Sequence, residues 1–365
     1  MRILYITNIP SPYRVDFFNE LGKCCALTVL FERKHAGNRD MRWKVDDFKY
    51  FRSIFLEGKL IGSDASICPG VIRFLKKDYH AIILGGYSSP TYMIAIEYMR
   101  MCRIPFLLNA DGGFIKCDNK LRYNIKKHFI GRASGWLSTG EKTDDYLLHY
   151  GAQKDHIYHY PFTSIKENDI CMLTEEEKSQ IKHQLGIMEK KIVITVGQFI
   201  PRKGFEFLIK AAGKIAKEYG ILVIGGRPTE QYLKLKEEYN AVNVHFIDFL
   251  EKEKLKKYYM AADVFVFPTI EDIWGLVLNE AMSYGLPCVA SLKANASLEL
   301  IEDGACGYLI NPEDVEDMAV KMELLLKDDL LRTRMGQRAF DKIKDYTIEN
   351  MTKYHMSILK DWKKQ

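Results

Sequence analysis

The sequence predicts an α/β protein built from two doubly wound parallel sheets. Short apolar runs alternate with helical stretches along the chain, the order that lays helices over both faces of a sheet. The strand-like runs are continuously apolar, as strands covered on both faces require. At 365 residues, 47% of them hydrophobic, the chain has length and apolar content for two cores.

In the first half the strand-like runs are 3–7, 26–31, 80–86, 105–113 and 134–140. Helical patterns lie between them at 13–22, 65–77, 90–101 and 119–132. The second series follows a polar stretch, with runs at 191–199, 220–226, 243–249, 262–269 and 286–291. Thr174 and Glu177 form a capping box that opens a helix after the crossing. The expected domains are 1–168 and 169–348, with 349–365 as a last amphipathic helix.

Composition narrows the function classes. No apolar run reaches the roughly 18 residues of a membrane-spanning helix, and Met1 to Asn8 reads as a strand, not a signal peptide. None of the eight cysteines forms a C-x-x-C pair, which argues against zinc or thioredoxin chemistry and for a reducing cytoplasm. Residues 1–165 hold 24 Lys and Arg against 16 Asp and Glu, and the remainder 29 against 32. The basic first half fits either an anionic partner, such as a membrane surface, or a solvated lysine-rich face. The segment 116–132 concentrates this charge: Lys116, Lys120, Arg122, Lys126, Lys127 and Arg132 are interleaved with Tyr123, Phe129 and Ile130. It reads either as an interfacial helix or as the exposed face of a packed one. No comparable stripe lies elsewhere, so no nucleic acid is expected as a partner.

Chemistry-bearing residues collect where strands end, which is where open α/β sheets bind ligands. Tyr13 and Arg14 follow the first strand, in a loop stiffened by Pro10 and Pro12. Asp111 precedes Gly112 and Gly113 at another strand end, as a turn former or as a ligand contact. In the second half, Gln198 to Gly204 brings Arg202 and Lys203 to a helix start, a pairing suited to a diphosphate. After Val264–Phe267 come Asp272 and Glu280, eight positions apart, and Glu280 reads as the start of a helix. Such acids fit general acid–base work or a metal.

GQFIPRKGFEFLIKAA, the later GG, KLKKYYMAADVFVFPT and EDIWGLVLNEAMSYGLPCVAS resemble the group 1, or family 4, retaining glycosyltransferases, in that family's order and spacing. SPYRVDFFNEL, NADGGFIK and YPFTS look like a bacterial branch that builds surface polysaccharides. The resemblance implies the GT-B fold: two Rossmann-like domains facing a central cleft, with a C-terminal helix crossing back to the first. It implies a UDP- or GDP-sugar donor and a lipid-linked or glycan acceptor, used at the inner face of the cell membrane. By the family's E-x7-E motif, Glu280 holds the ribose hydroxyls and Asp272 stands near the sugar, one methylene shorter than the usual glutamate. Glu271 is a neighbouring substitute, and the amides around Ile273, Trp274 and Gly275 contact sugar or phosphate. Lys203 maps to the diphosphate lysine, with Arg202 beside it. Gln198 occupies a position where the family often has arginine, and Gly204 closes that loop. Asp111 falls near the strand end where many members carry a histidine, so it is a candidate to support the donor sugar. Tyr13 and Arg14 fall on the acceptor side. No cofactor and no divalent metal are expected, since no D-x-D motif is suitably placed. A non-catalytic partner subunit and a nucleotide-sugar epimerase of the same fold are the competing readings.

Overall fold

The computed structural model describes residues 1–34, 47–61 and 65–362. The chain divides into two compact units, Met1–Ser164 with Thr347–Gln365, and Ile165–Tyr346.

The first unit contains, in order, β1 (Arg2–Thr7), α1 (Pro12–Cys24), β2 (Ala26–Phe31), β3 (Arg52–Phe55), β4 (Lys59–Ile61), β5 (Ala65–Ile67), β6 (Ala81–Leu84), α2 (Pro90–Met101), β7 (Leu107–Asn109), α3 (Lys120–Ile130), β8 (Gly135–Ser138), α4 (Glu141–His149) and β9 (Ile157–His159). Its main sheet runs β3-β2-β1-β6-β7-β8-β9, and each neighbouring pair is parallel. Strand order therefore reverses between β1 and β6. Ser11 is the N-cap of α1 and Pro12 its first residue, where a missing N–H costs nothing, so Tyr13 and Arg14 lie in the first turn of the helix and not in the expected loop. Leu4, Ile6, Leu84, Ile96, Leu108 and Trp136 form part of the core between sheet and helices.

The second unit contains α5 (Glu175–Gln184), β10 (Ile192–Val196), α6 (Phe205–Ala212), β11 (Gly220–Ile224), α7 (Glu230–Glu238), β12 (Val244–Ile247), α8 (Lys252–Ala261), β13 (Val264–Phe267), α9 (Leu276–Ser283), β14 (Cys288–Ser291), α10 (Asn295–Leu300), β15 (Gly307–Ile310), α11 (Val315–Lys327) and α12 (Asp329–Ile343). Its sheet runs β12-β11-β10-β13-β14-β15, parallel throughout, and reverses between β10 and β13. The capping box is formed: Thr174 accepts from the Glu177 amide at 3.3 Å, and Glu177 accepts from the Thr174 amide at 2.8 Å. Val193, Val223 and Val266 meet Leu208, Ile209 and Met322 in its core.

The chain then returns to the first unit as α13 (Ile348–Asp361). The His355 ring lies 4.7 Å from Phe17 of α1. His80 Nε2 bonds the Leu359 carbonyl at 2.7 Å. Residues 363–365 of the expected last helix lie outside the described residues.

Two expectations need correction. The helix expected over 65–77 is instead β5 followed by a tight 3-10 turn, Pro69–Phe74. Pro69 disfavours helical backbone at Cys68, which sits at φ −125° and ψ 78°. The helix after β13 begins at Leu276, not at Glu280, because Gly275 adopts a left-handed cap at φ 111°. Glu280 is thus more than one turn inside α9.

Candidate functional site

In the second unit the loops after β10 and β13 leave adjacent strands at the point where strand order reverses. Ligands of open α/β sheets bind at such points. The first loop turns through Pro201–Lys203 into Gly204, left-handed at φ 67°. A Cβ at Gly204 would stand 1.9 Å from the Pro268 carbonyl oxygen, so only glycine lets the two loops approach this closely. Backbone and side-chain bonds fasten them. The Ile270 amide donates to the Arg202 carbonyl at 2.8 Å, and Thr269 Oγ1 donates to it at 2.9 Å. Farther along, the Asp272 amide donates to the Lys293 carbonyl at 3.1 Å. Trp274 is buried, and its Nε1 donates to Asn279 Oδ1 at 2.9 Å. The Trp274 side chain therefore locks the loop to α9.

This scaffold brings several expected site residues together. Lys203 Nζ lies 2.6 Å from Asp272 Oδ2, with side-chain exposures of 13% and 17%. Arg202, half exposed, stands 3.7 Å from the same oxygen, and its Nη1 reaches the Glu271 carbonyl at 3.4 Å. Two cations thus share one carboxylate at the start of α6, whose first turn also carries Glu206. Helix N-termini offer free amides and a positive dipole end, surroundings that suit an anion. Gln198, Glu271 and Ile273 are exposed on the same loops. Glu280 is half-buried on α9 and accepts a bond from the Tyr259 hydroxyl at 3.1 Å. Tyr259 gave no signal in the sequence, because its role depends on how α8 packs beside α9.

In the first unit Arg14 and Asp111 are joined to one another. Arg14 Nη2 donates to both Asp111 oxygens. The carboxylate also accepts from Asn109 Nδ2 at 2.7 Å and the Tyr160 hydroxyl at 3.2 Å. The Arg14 guanidinium lies over the rings of Tyr5, Tyr13 and Phe162 at 5.6–5.8 Å. Its side chain is only 4% exposed, against 26% for Asp111. Burial opposes the Arg14 charge, but Asp111 holds its pKa well above the ordinary value. Arg14 is therefore turned to Asp111 and not to solvent, whereas Tyr13 is half-buried at the unit's surface.

Two buried titratable groups of this unit were not foreseen. Burial pushes the Glu32 carboxyl up to about 7, against a bond from Ser89. Burial pulls His355 down to about 4, and its Nδ1 donates to the Met351 carbonyl at 2.8 Å. On α3, Lys126 is paired with Asp118 at 2.7 Å, while Leu121 and Ile125 are 71% and 40% exposed. Among the described residues no group of three or more His, Cys, Asp or Glu is arranged to hold a metal ion.

Residues 177–342 match the family model described as "Glycosyl transferases group 1". The second unit carries a group 1 glycosyltransferase domain. Lys203, Asp272 and Glu280 all lie inside the matched segment. Among curated proteins, 173 residues are 34% identical to sulfoquinovosyl transferase SQD2 of Arabidopsis thaliana, covering 47% of this chain and 33% of that protein. An uncharacterized glycosyltransferase of Methanocaldococcus jannaschii is 25% identical over 74% of this chain and 73% of its own. The D-inositol 3-phosphate glycosyltransferase of Corynebacterium diphtheriae is 29% identical over 58% and 52%. The chain thus spans a third to three quarters of the length of these relatives. Among solved structures, Anabaena HepE in complex with UDP superposes with a TM-score of 0.81 at 16% identity, over 99% of this chain and all of that one. WaaG, described as a glycosyltransferase involved in lipopolysaccharide biosynthesis, gives 0.72 at 16%, with the same coverage. At such identity the likeness establishes the fold, which is GT-B.

Proposed function

We propose that this chain transfers a sugar from a nucleotide-sugar, a UDP- or GDP-sugar, to a lipid-linked or surface-glycan acceptor, with retention at the anomeric carbon. The observation that carries the reading is the Lys203–Asp272–Arg202 group between two helix N-termini, inside the segment matched by the group 1 family. Breaking the bond from sugar to diphosphate builds negative charge on the leaving phosphate. Cations and amides already in place stabilise that charge without reorganising, often the largest contribution in catalysis. Lys203 and Arg202 take this role, so the transfer proceeds without a divalent ion and chelation leaves it intact. The leaving phosphate accepts the proton of the attacking hydroxyl on the same face of the sugar. A pair of glycosidase-like carboxylates is then unnecessary. Asp272 faces the sugar end, with Glu271 beside it, and Glu280 holds the ribose hydroxyls. The backbone amides of Ile273, Trp274 and Gly275 contact the donor. In the first unit, Tyr13 borders the acceptor, while Asp111 is taken up by Arg14, Asn109 and Tyr160.

In this reading the acceptor lies at the cytoplasmic membrane surface. The basic helix α3 exposes Leu121 and Ile125 among Lys120, Arg122 and Lys127, a face suited to anionic headgroups. Among the described residues no helix is long and apolar enough to cross a membrane.

The test is transfer or donor hydrolysis by the purified chain with labelled UDP- and GDP-sugars. Lys203→Ala should cut turnover by about 10²- to 10³-fold, the usual effect of removing one preorganised charge-stabilising donor. Glu280→Ala should act mainly through donor affinity. Full activity in both variants would sink the reading. Absence of turnover with every donor would favour a non-catalytic subunit, and sugar isomerisation without acceptor an epimerase.

A further inference from the structure

A carboxylate that grips ribose hydroxyls must be held in one orientation by its surroundings. Around Glu280 that work falls to α8. Tyr259, in the last turn of α8, is 2% exposed. Its ring stacks on Tyr284 with centroids 5.8 Å apart and planes 11° from parallel, and Phe265 flanks it at 6.1 Å. Between these rings its hydroxyl points at Glu280 Oε2, 3.1 Å away. Burial, and then the nearby Glu280 charge, push the Tyr259 pKa well above the ordinary phenol value. The hydroxyl is therefore a permanent donor.

The frame behind this pair is also tied down. Asp169 binds Lys256 at 2.7 Å and Lys252 at 3.1 Å, both on α8. The Cys171 amide donates to the Ser283 carbonyl at 3.0 Å, and Ser283 Oγ to the Glu280 carbonyl at 2.7 Å. One short segment, 169–171, thus fastens both the helix of the tyrosine and the helix of the glutamate.

We propose that Tyr259 is a positioning residue: its hydroxyl aims the Glu280 carboxylate at the nucleotide ribose and thereby sets the preference for ribonucleotides over deoxyribonucleotides. This rests on the reading of Glu280 as the ribose contact. A tyrosine that only filled the core would affect every ligand equally. One that aims Glu280 affects only ligands with ribose hydroxyls.

The experiment is calorimetric binding of UDP and GDP, and of their 2′,3′-dideoxy forms, to the unaltered chain, Tyr259→Phe, Glu280→Ala and the double variant. Tyr259→Phe keeps the ring and removes only the hydroxyl. It should weaken the ribonucleotide by about 10-fold, the order expected for losing one hydrogen bond to a charged group. Dideoxynucleotide affinity should hold, which also reports a folded site. Adding Tyr259→Phe to Glu280→Ala should cost nothing more. Equal weakening of both nucleotides, or none in Tyr259→Phe while Glu280→Ala loses the ribose preference, would overturn the proposal alone. An intact preference in Glu280→Ala, or failure of the unaltered chain to bind either ribonucleotide, would overturn the donor reading and this one together.

Discussion

Each unit pairs a cation with an aspartate at strand ends, and the two pairs differ in what surrounds them. Arg14 and Asp111 form a closed, one-to-one pair. Three rings lie against the guanidinium, and Asn109 and Tyr160 both donate to Asp111 Oδ1. Lys203 and Asp272 form an open pair, because Arg202 adds a second cation that is half exposed. A balanced pair among aromatic rings fastens α1 to β7. Two cations at the start of a helix suit an incoming anion. Under the proposed function the same residue types serve as a clamp in one unit and as a binding group in the other.

Exchanging the damage breaks this comparison most severely. Arg14→Met leaves Asp111 without its cation and should cost about 3 kcal/mol of stability, the lower end for breaking a buried pair. Lys203→Ala should cost less, because Arg202 remains 3.7 Å from Asp272 as a second cation. Chemical denaturation of the two variants reads both values, and equal losses would dissolve the distinction. A smaller effect concerns Asp272. Asp272→Asn releases Lys203, so the free nucleoside diphosphate should bind several-fold more tightly while sugar transfer falls. Weaker binding of the sugar-free nucleotide would show that Asp272 does not compete for Lys203.

A pH slope in the first unit gives a further check. Burial raises the Glu32 pKa from 4.5 to about 7. Its contribution is complete below the unfolded value and lost as pH rises through the folded one. His355 runs the other way: its pKa falls from 6.5 to about 4, so its contribution is complete above 6.5 and lost as pH falls through 4. Glu32→Gln should therefore remove a decline in stability between pH 4.5 and 7. Denaturation midpoints across that range check it, and an unchanged slope contradicts it.

The paired sheets were legible because continuous apolar runs such as Val264–Phe267 permit few other readings. The loop that carries the two cations was legible because Arg202, Lys203 and Gly204 are adjacent in sequence and lead into a helix. What escaped depends on contacts between distant segments. Arg14 and Asp111 are 97 positions apart and Tyr259 and Glu280 are 21 apart, so no local spacing announces either pair. Glu32 and His355 look like ordinary polar residues until the fold buries them. The edge strands β3, β9 and β15 were missed because edge positions leave most of their residues only partly buried, so they lack the continuous apolar run of an inner strand. The helix misassigned over 65–77 turned on Pro69, whose effect reaches back to Cys68.

The central claim, that the second unit binds a nucleotide-sugar through Lys203, is tested most directly by melting curves with UDP- and GDP-sugars. A donor at about 100 times its dissociation constant should add about 2.7 kcal/mol of stability. The account predicts that gain for at least one donor in the unaltered chain and its loss in Lys203→Ala at the same concentration. No gain with any donor, or the same gain in both proteins, would contradict it.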